Sequence, residues 1–221
     1  MSKDIYVFIE QRDNKLEKVG IELLGKAREL ADRLNEQVVA MLIGEKVKGH
    51  SDLLIHHGAD KVIVIEDPML KEYVTEPYAK SVFHIIKKYE PEIVLFGASS
   101  IGRDLAPRMA ARIHTGLTAD CTKLDIEDES NLLLMTRPAF GGNLMATIVC
   151  ENFRPQMATV RPAWCLCTIT ETGGGRAREF ADLSYATIIA RYFNADYTLI
   201  AHSGRGVVRN YGGLYPCRKW N

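Results

Sequence analysis

The sequence carries no excess charge of either sign: Lys plus Arg is 28, Asp plus Glu is 28, and the formal net charge is +0. That balance removes the generic electrostatic case for binding nucleic acid or an anionic membrane surface. No apolar run approaches the ~18 residues expected of a membrane span. The start, Met1-Ser2-Lys3-Asp4, has neither a signal-peptide core nor an Arg-rich transit segment. A cytoplasmic protein is the expectation. Cysteine is sparse and odd in number: Cys121, Cys150, Cys165, Cys167 and Cys217. With no export signal, free thiols are expected. Cys165-Leu166-Cys167 is CxC without a second pair at zinc-site spacing, so no structural metal site is expected. There is no GxGxxG, no Gly-Lys-Ser/Thr phosphate loop and no Gly-x-Ser-x-Gly elbow. The histidines do not cluster; adjacent His56 and His57 would point about 100° apart on a helix and cannot clamp one metal. No catalytic residue is assigned.

What is present is an ordinary globular composition, 47% apolar and 25% charged over 221 residues. That size fits one large domain, or one domain with an appendage. The first half alternates short apolar runs with amphipathic stretches. Ile5–Ile9, Val38–Ile43, Val62–Ile65 and Ile93–Phe96 read as strands. Between them, Val19, Leu23, Leu24, Ala27, Leu30, Ala31 and Leu34 make one helical stripe, and Ser51–Ile55 reads as a short helix. Thr75-Glu76-Pro77 reads as a helix start with a capping hydroxyl, and 103–114 as a fourth helix. The strands show no polar alternation, which predicts burial on both faces in a parallel sheet covered by helices. The expected fold is α/β, doubly wound and mostly parallel.

Beyond Gly116 the rhythm changes. Thr118–Ile126, Leu132–Phe140, Leu144–Cys150 and Gln156–Val160 all read as strands, with Gly141-Gly142-Asn143 as a hairpin turn. An added antiparallel group is expected, closing a domain over residues 1–163. Residues 164–221 lack a helix–strand rhythm and read as an irregular tail, partly disordered, with a helix or strand at Leu183–Tyr192 and a strand at Tyr197–Ala201.

One window stands out for chemistry. Gly97-Ala98-Ser99-Ser100-Ile101-Gly102-Arg103-Asp104 leaves a buried strand at its carboxyl end and enters a helix. In open α/β sheets ligands bind there, and helix N-terminal N–H groups favour an anion. The same residues equally describe a capped helix, with Arg103 paired to a surface acid. Arg137-Pro138 and Arg154-Pro155 set two arginines beside what read as rigid turns, for a salt bridge, an interface or an anion.

The longer motifs resemble a known family. Phe96-Gly97-Ala98-Ser99-Ser100-Ile101-Gly102-Arg103-Asp104-Leu105-Ala106-Pro107-Arg108, then Gly116-Leu117-Thr118-Ala119-Asp120-Cys121, resemble the alpha subunit of electron transfer flavoproteins. Arg137-Pro138-Ala139-Phe140-Gly141-Gly142-Asn143-Leu144-Met145-Ala146-Thr147 and Pro155-Gln156-Met157-Ala158-Thr159-Val160-Arg161-Pro162 resemble its next motifs, in order and in register. The resemblance implies an adenine nucleotide alpha hydrolase-like domain and a heterodimer with a beta subunit. It implies electron carriage through FAD between flavin dehydrogenases, such as the acyl-CoA dehydrogenases of fatty acid oxidation, and an acceptor. It also implies that FAD sits mainly on a second domain, the first being scaffold and subunit interface. Ser99, Ser100, Arg103 and Asp104 are therefore expected to act as interface or support.

After Pro162 the chain departs from the family pattern. Asp182–Ile189 resembles the opening strand of the flavin domain, and Ser203-Gly204-Arg205-Gly206 resembles its Gly-Gly-Arg-Gly turn, displaced downstream. Arg205 is the one residue this resemblance implies for FAD contact. The tail is expected to be a truncated or frame-shifted remnant. Two other readings stay open: an adenine-nucleotide-binding α/β module using the 97–103 crevice, and a redox-silent scaffold subunit.

Overall fold

The computed structural model describes residues 4–139 and 144–162, and the backbone of 197–202 and 205–210. Its chain forms two compact units, Met1–Ile169 and Thr170–Asn221.

The first unit is built on β1 (Ile5–Ile9), followed by a small hairpin of β2 (Gln11–Arg12) and β3 (Lys15–Leu16). Then come α1 (Lys18–Leu34), β4 (Val38–Gly44), α2 (Ser51–His56), β5 (Lys61–Glu66), α3 (Thr75–Tyr89), β6 (Ile93–Gly97) and α4 (Ser100–Ile113). The remaining strands are β7 (Leu117–Cys121), β8 (Lys123–Ile126), β9 (Leu133–Ala139), β10 (Leu144–Ile148) and β11 (Gln156–Val160).

A six-stranded sheet runs in the order β5-β4-β1-β6-β11-β7, and every pairing in it is parallel. Successive residues of its inner strands enter opposite cores. Ile5, Val7 and Ile9 pack with Leu23, Leu24, Leu30 and Leu54 on one face. Tyr6 and Phe8 pack with Val82, Ile85, Leu105 and Met109 on the other. Burying such side chains fully is worth about 1.5–3 kcal/mol each. The absence of polar alternation in these strands follows directly from the two-sided burial.

The antiparallel group differs from the expectation. The 118–126 run is two strands, β7 ending at Cys121 and β8 starting at Lys123; within β7, Asp120 takes a left-handed φ of 66° where the pairing with the 156–160 strand shifts register. Only β7 joins the large sheet. Gln156–Val160 is no member of the antiparallel group; it inserts between β6 and β7 as a buried parallel strand. The antiparallel sheet is β10-β9-β8, and its Leu124, Ile126, Leu133 and Met135 join the core on the α1 side. α3 also starts differently. Val74, which has no polar side chain to offer, is the cap residue, and the Thr75 hydroxyl at the first helical position donates to Asp104 Oδ2 at 2.7 Å rather than capping the helix.

In the second unit β12 (Tyr197–His202) pairs antiparallel with β13 (Arg205–Asn210). The Leu183–Tyr192 reading, Cys165, Cys167, Cys217 and most of the irregular tail lie outside the described residues.

Candidate functional site

Chain order reverses between β1 and β6, so their carboxyl ends flank the switch-point crevice of the sheet, where such folds bind ligands. Glu10 follows β1 and Ser99 follows β6. Ser99 caps α4: its Oγ accepts from the Gly102 N–H at 3.0 Å. The same hydroxyl donates to Glu10 Oε2 in a short bond. The Glu10 side chain is only 4% exposed, and Arg12 closes over it with Nη2 3.1 Å and Nε 3.3 Å from Oε1. Arg12 Nη2 also donates to Ser100 Oγ at 2.9 Å. A carboxylate thus stands at the helix N-terminus, the position an anionic ligand would want.

The hairpin that carries Arg12 is itself tied down. Asp13 and Asn14 have φ of 48° and 58°, the signature of a tight primed turn. Gln11 Nε2 donates to the Tyr78 hydroxyl at 2.8 Å, and that hydroxyl donates to Leu70 O at 2.9 Å. His50 Nε2 donates to Asn14 O at 2.7 Å. The two glycines of the window serve the chain's own packing. A Cβ at Gly102 would lie 1.8 Å from Gly97 O, and one at Gly97 would lie 2.7 Å from Val19.

Arg103 does not face the crevice as an anion ligand. Its Nη2 donates to Asp120 Oδ1 at 3.0 Å, and Arg161 Nη2 takes Asp120 Oδ2 at 2.7 Å. The Arg161 hydrogen bond, with Arg103 adding to it, holds the Asp120 carboxyl below the usual range against the opposing effect of partial burial. Asp104 accepts from the Thr75 and Tyr73 hydroxyls, both at 2.7 Å, and is likewise held low by them. Burial and the Asp104 bond push the Tyr73 phenol up. Ser99, Ser100, Arg103 and Asp104 are therefore all engaged within the chain.

The two Arg-Pro pairs separate in role. Arg137-Pro138 is no turn but lies within β9, opposite Ala146 and Met145. Arg154 bonds Glu92 and donates to the carbonyls of Cys150, Glu151 and Phe153. Arg205 opens β13, paired in register with His202. Cys121 and Cys150 are free thiols. Among the described residues no group of His, Cys, Asp and Glu could hold a metal ion, and no helix is long and apolar enough to cross a membrane. Glu10, Gln11 and Arg12 carry no motif in the sequence. The available signal was an acid directly after a buried strand at its carboxyl end.

A flavin or adenine nucleotide brings a diphosphate or phosphate, and the crevice does not fit one. A phosphate about 4 Å from the Glu10 carboxylate would meet a repulsion of about 4 kcal/mol at an effective dielectric near 20.

Fold and crevice together define a doubly wound α/β domain whose ligand position is filled by its own carboxylate. Residues 5–205 match the family described as Electron transfer flavoprotein domain. The chain is 55% identical over 188 residues to the electron transfer flavoprotein subunit alpha of Thermoanaerobacterium thermosaccharolyticum, covering 84% of this chain and 57% of that protein. It is 54% identical over 160 residues to the subunit of the same name from Clostridium acetobutylicum, covering 72% and 48%. It is 48% identical over 182 residues to an acryloyl-CoA reductase electron transfer subunit beta from Anaerotignum propionicum, covering 72% and 50%. The chain belongs to the electron transfer flavoprotein family. It spans about half the length of these curated relatives.

Proposed function

We propose that the chain acts as an electron transfer flavoprotein alpha subunit, whose first unit is scaffold and subunit interface in a heterodimer with a beta subunit. The complex carries electrons through FAD from a flavin dehydrogenase to an acceptor in the cytoplasm. The name of the Anaerotignum propionicum relative favours a dehydrogenase acting on acyl-CoA compounds, as in fatty acid oxidation. FAD supplies the redox chemistry; the first unit supplies a rigid frame.

The observation that carries this reading is the Glu10 carboxylate on the Ser99 cap, which occupies the place a nucleotide phosphate would take in the switch-point crevice. It weighs against an adenine-nucleotide module and assigns the cofactor to other residues. Arg205, at the head of β13, is the FAD contact this reading assigns.

The test is co-expression of the full chain with a beta subunit, purification, and flavin counted per heterodimer for the wild type and Arg205→Ala. A stable heterodimer whose flavin falls in R205A supports the reading. Absence of a heterodimer contradicts it. Flavin unchanged by R205A removes Arg205 from the site. A heterodimer lacking the flavin expected of the alpha subunit identifies a redox-silent scaffold.

A further inference from the structure

Strand β5 ends the six-stranded sheet. It pairs with β4 on one side and with no strand among the described residues on the other. Its sequence is Lys61-Val62-Ile63-Val64-Ile65-Glu66, four β-branched residues between two charges. Val62 and Val64 lean on the α1-side core, Ile63 and Ile65 on the opposite one, and all four are half-buried. β4, one strand inward, is buried throughout. The surroundings of the edge are apolar too. α2 packs on β5 and leaves Leu53 42% and Ile55 50% exposed, and Met69, just past the strand, is 73% exposed. An unpaired apolar edge is a template for another strand.

Charge selects which strand. Lys61 is exposed, and among the described residues no carboxylate is within ion-pair reach of it. Asp67 continues the extended backbone, with φ −153° and ψ 141°, and its Oδ1 accepts the Met69 N–H at 2.8 Å. The two residues carry opposite charge and lie on one face of the strand, six positions apart.

A second copy running antiparallel beside β5 is related by a two-fold axis normal to the sheet. Residues directly opposite each other share a face, so the axis must pass through a residue. Through Val64 it sets Lys61 opposite Asp67 of the second copy, with Ile63 opposite Ile65, and symmetry forms each pair twice. Through Ile63 it sets Asp60 opposite Glu66, acid against acid. The register centred on Val64 is the one in which the charges at the two ends answer each other.

Residues 163–221 of the same chain are a poorer match. An antiparallel cover from that stretch needs a base followed six positions later by an acid, with apolar residues between. Arg176 and Asp182 alone have that spacing, and they enclose Arg178 and Glu179. A parallel cover needs an acid followed six positions later by a lysine or arginine, which the stretch lacks.

We propose that the outer edge of β5 is a self-association surface, pairing two copies of this chain antiparallel about Val64, with Lys61 of each copy on Asp67 of the other. The two six-stranded sheets then run on as one. The pairing stands apart from the subunit reading above.

The test is sedimentation equilibrium of the full chain at low salt over a dilution series. It compares the wild type, Lys61→Glu, and the double variant Lys61→Glu with Asp67→Lys; far-UV circular dichroism checks that each folds. The expected result is a wild-type dimer whose dissociation constant rises about tenfold or more in K61E, where two acid–acid contacts replace two ion pairs, and recovers in the double variant. A wild type that stays monomeric up to its highest soluble concentration overturns the proposal. So does a dimer equally tight in K61E, or one that the double variant does not recover. Amide hydrogen exchange over Val62–Ile65 separates the remaining occupant. Protection that falls on dilution to the monomer supports the pairing. Protection unchanged by dilution means that residues of the same chain cover the edge, and overturns it.

Discussion

The crevice between β1 and β6 and the ribbon of β9 and β10 satisfy their exposed groups in opposite ways. In the crevice, the helix N-terminus of α4 and the strand ends carry the groups that usually receive a ligand, and the chain fills them itself through Glu10, Arg12 and Ser99. On the ribbon, the apolar side chains of Leu144 and Met145 are more than half exposed, and the outer edge of β10 pairs with no strand among the described residues. A site that looks built for binding is closed, and a segment that looks like decoration is open. Ligand position in a fold is therefore a poor guide to ligand use when a carboxylate occupies it.

The largest effect expected is on the closed side. In Gly102→Ala the new Cβ falls 1.8 Å from Gly97 O, a backbone atom that cannot swing away. The helix must shift from β6, and a loss of about 3 kcal/mol or more is expected in urea unfolding. Wild-type stability in G102A would show that the crevice is loosely packed. Next is Glu10→Ala, which strips the partner from Arg12 and from the Ser99 hydroxyl; about 2 kcal/mol is expected by the same measurement. Glu10→Gln keeps an oxygen for these donors and should cost less than E10A. Equal losses in the two variants would mean that packing, not the carboxylate's hydrogen bonds, holds the crevice shut.

A third effect appears only in acid. Asp120 is held below its ordinary value by Arg161 and Arg103. Its folded value is depressed, so its stabilisation is fully present above the unfolded value of about 3.9 and fades as pH falls through the folded one. The thermal midpoint should drop below about pH 4, and Asp120→Asn should be less stable at neutral pH with a shallower acid slope. Parallel acid profiles for the two proteins would remove Asp120 from this role. The smallest effect lies on the open side. Met145→Asp should change the free chain's stability by no more than about 0.5 kcal/mol, because Met145 touches little of its own chain. A loss well beyond that would mean that the ribbon is already covered.

The parallel core was readable because two-sided burial leaves an unmistakable apolar run, as in Ile5–Ile9 and Ile93–Gly97. The Ser99 region was readable as far as a strand end leading into a helix. What the sequence hid were partners distant along the chain. Gln156–Val160 looks like any strand locally, and its place between β6 and β7 depends on pairings with residues 93–97 and 117–121. The Thr75 hydroxyl looks like a cap, but Asp104, brought up by α4, accepts its hydrogen bond instead. The bulge at Asp120 depends on a residue of the neighbouring strand, the Thr159 hydroxyl, which accepts its N–H at 2.8 Å. Glu10 escaped notice because one acid at a strand end carries no motif. Its meaning comes only from Ser99, which the sheet sets beside it.

The most direct test of the contrast is amide hydrogen exchange of the full chain, alone and with the beta subunit bound. The account predicts no change across Glu10–Leu16 or the first turn of α4, because the chain's own side chains already fill that crevice. New protection at Glu10–Leu16 and the first turn of α4 would contradict it.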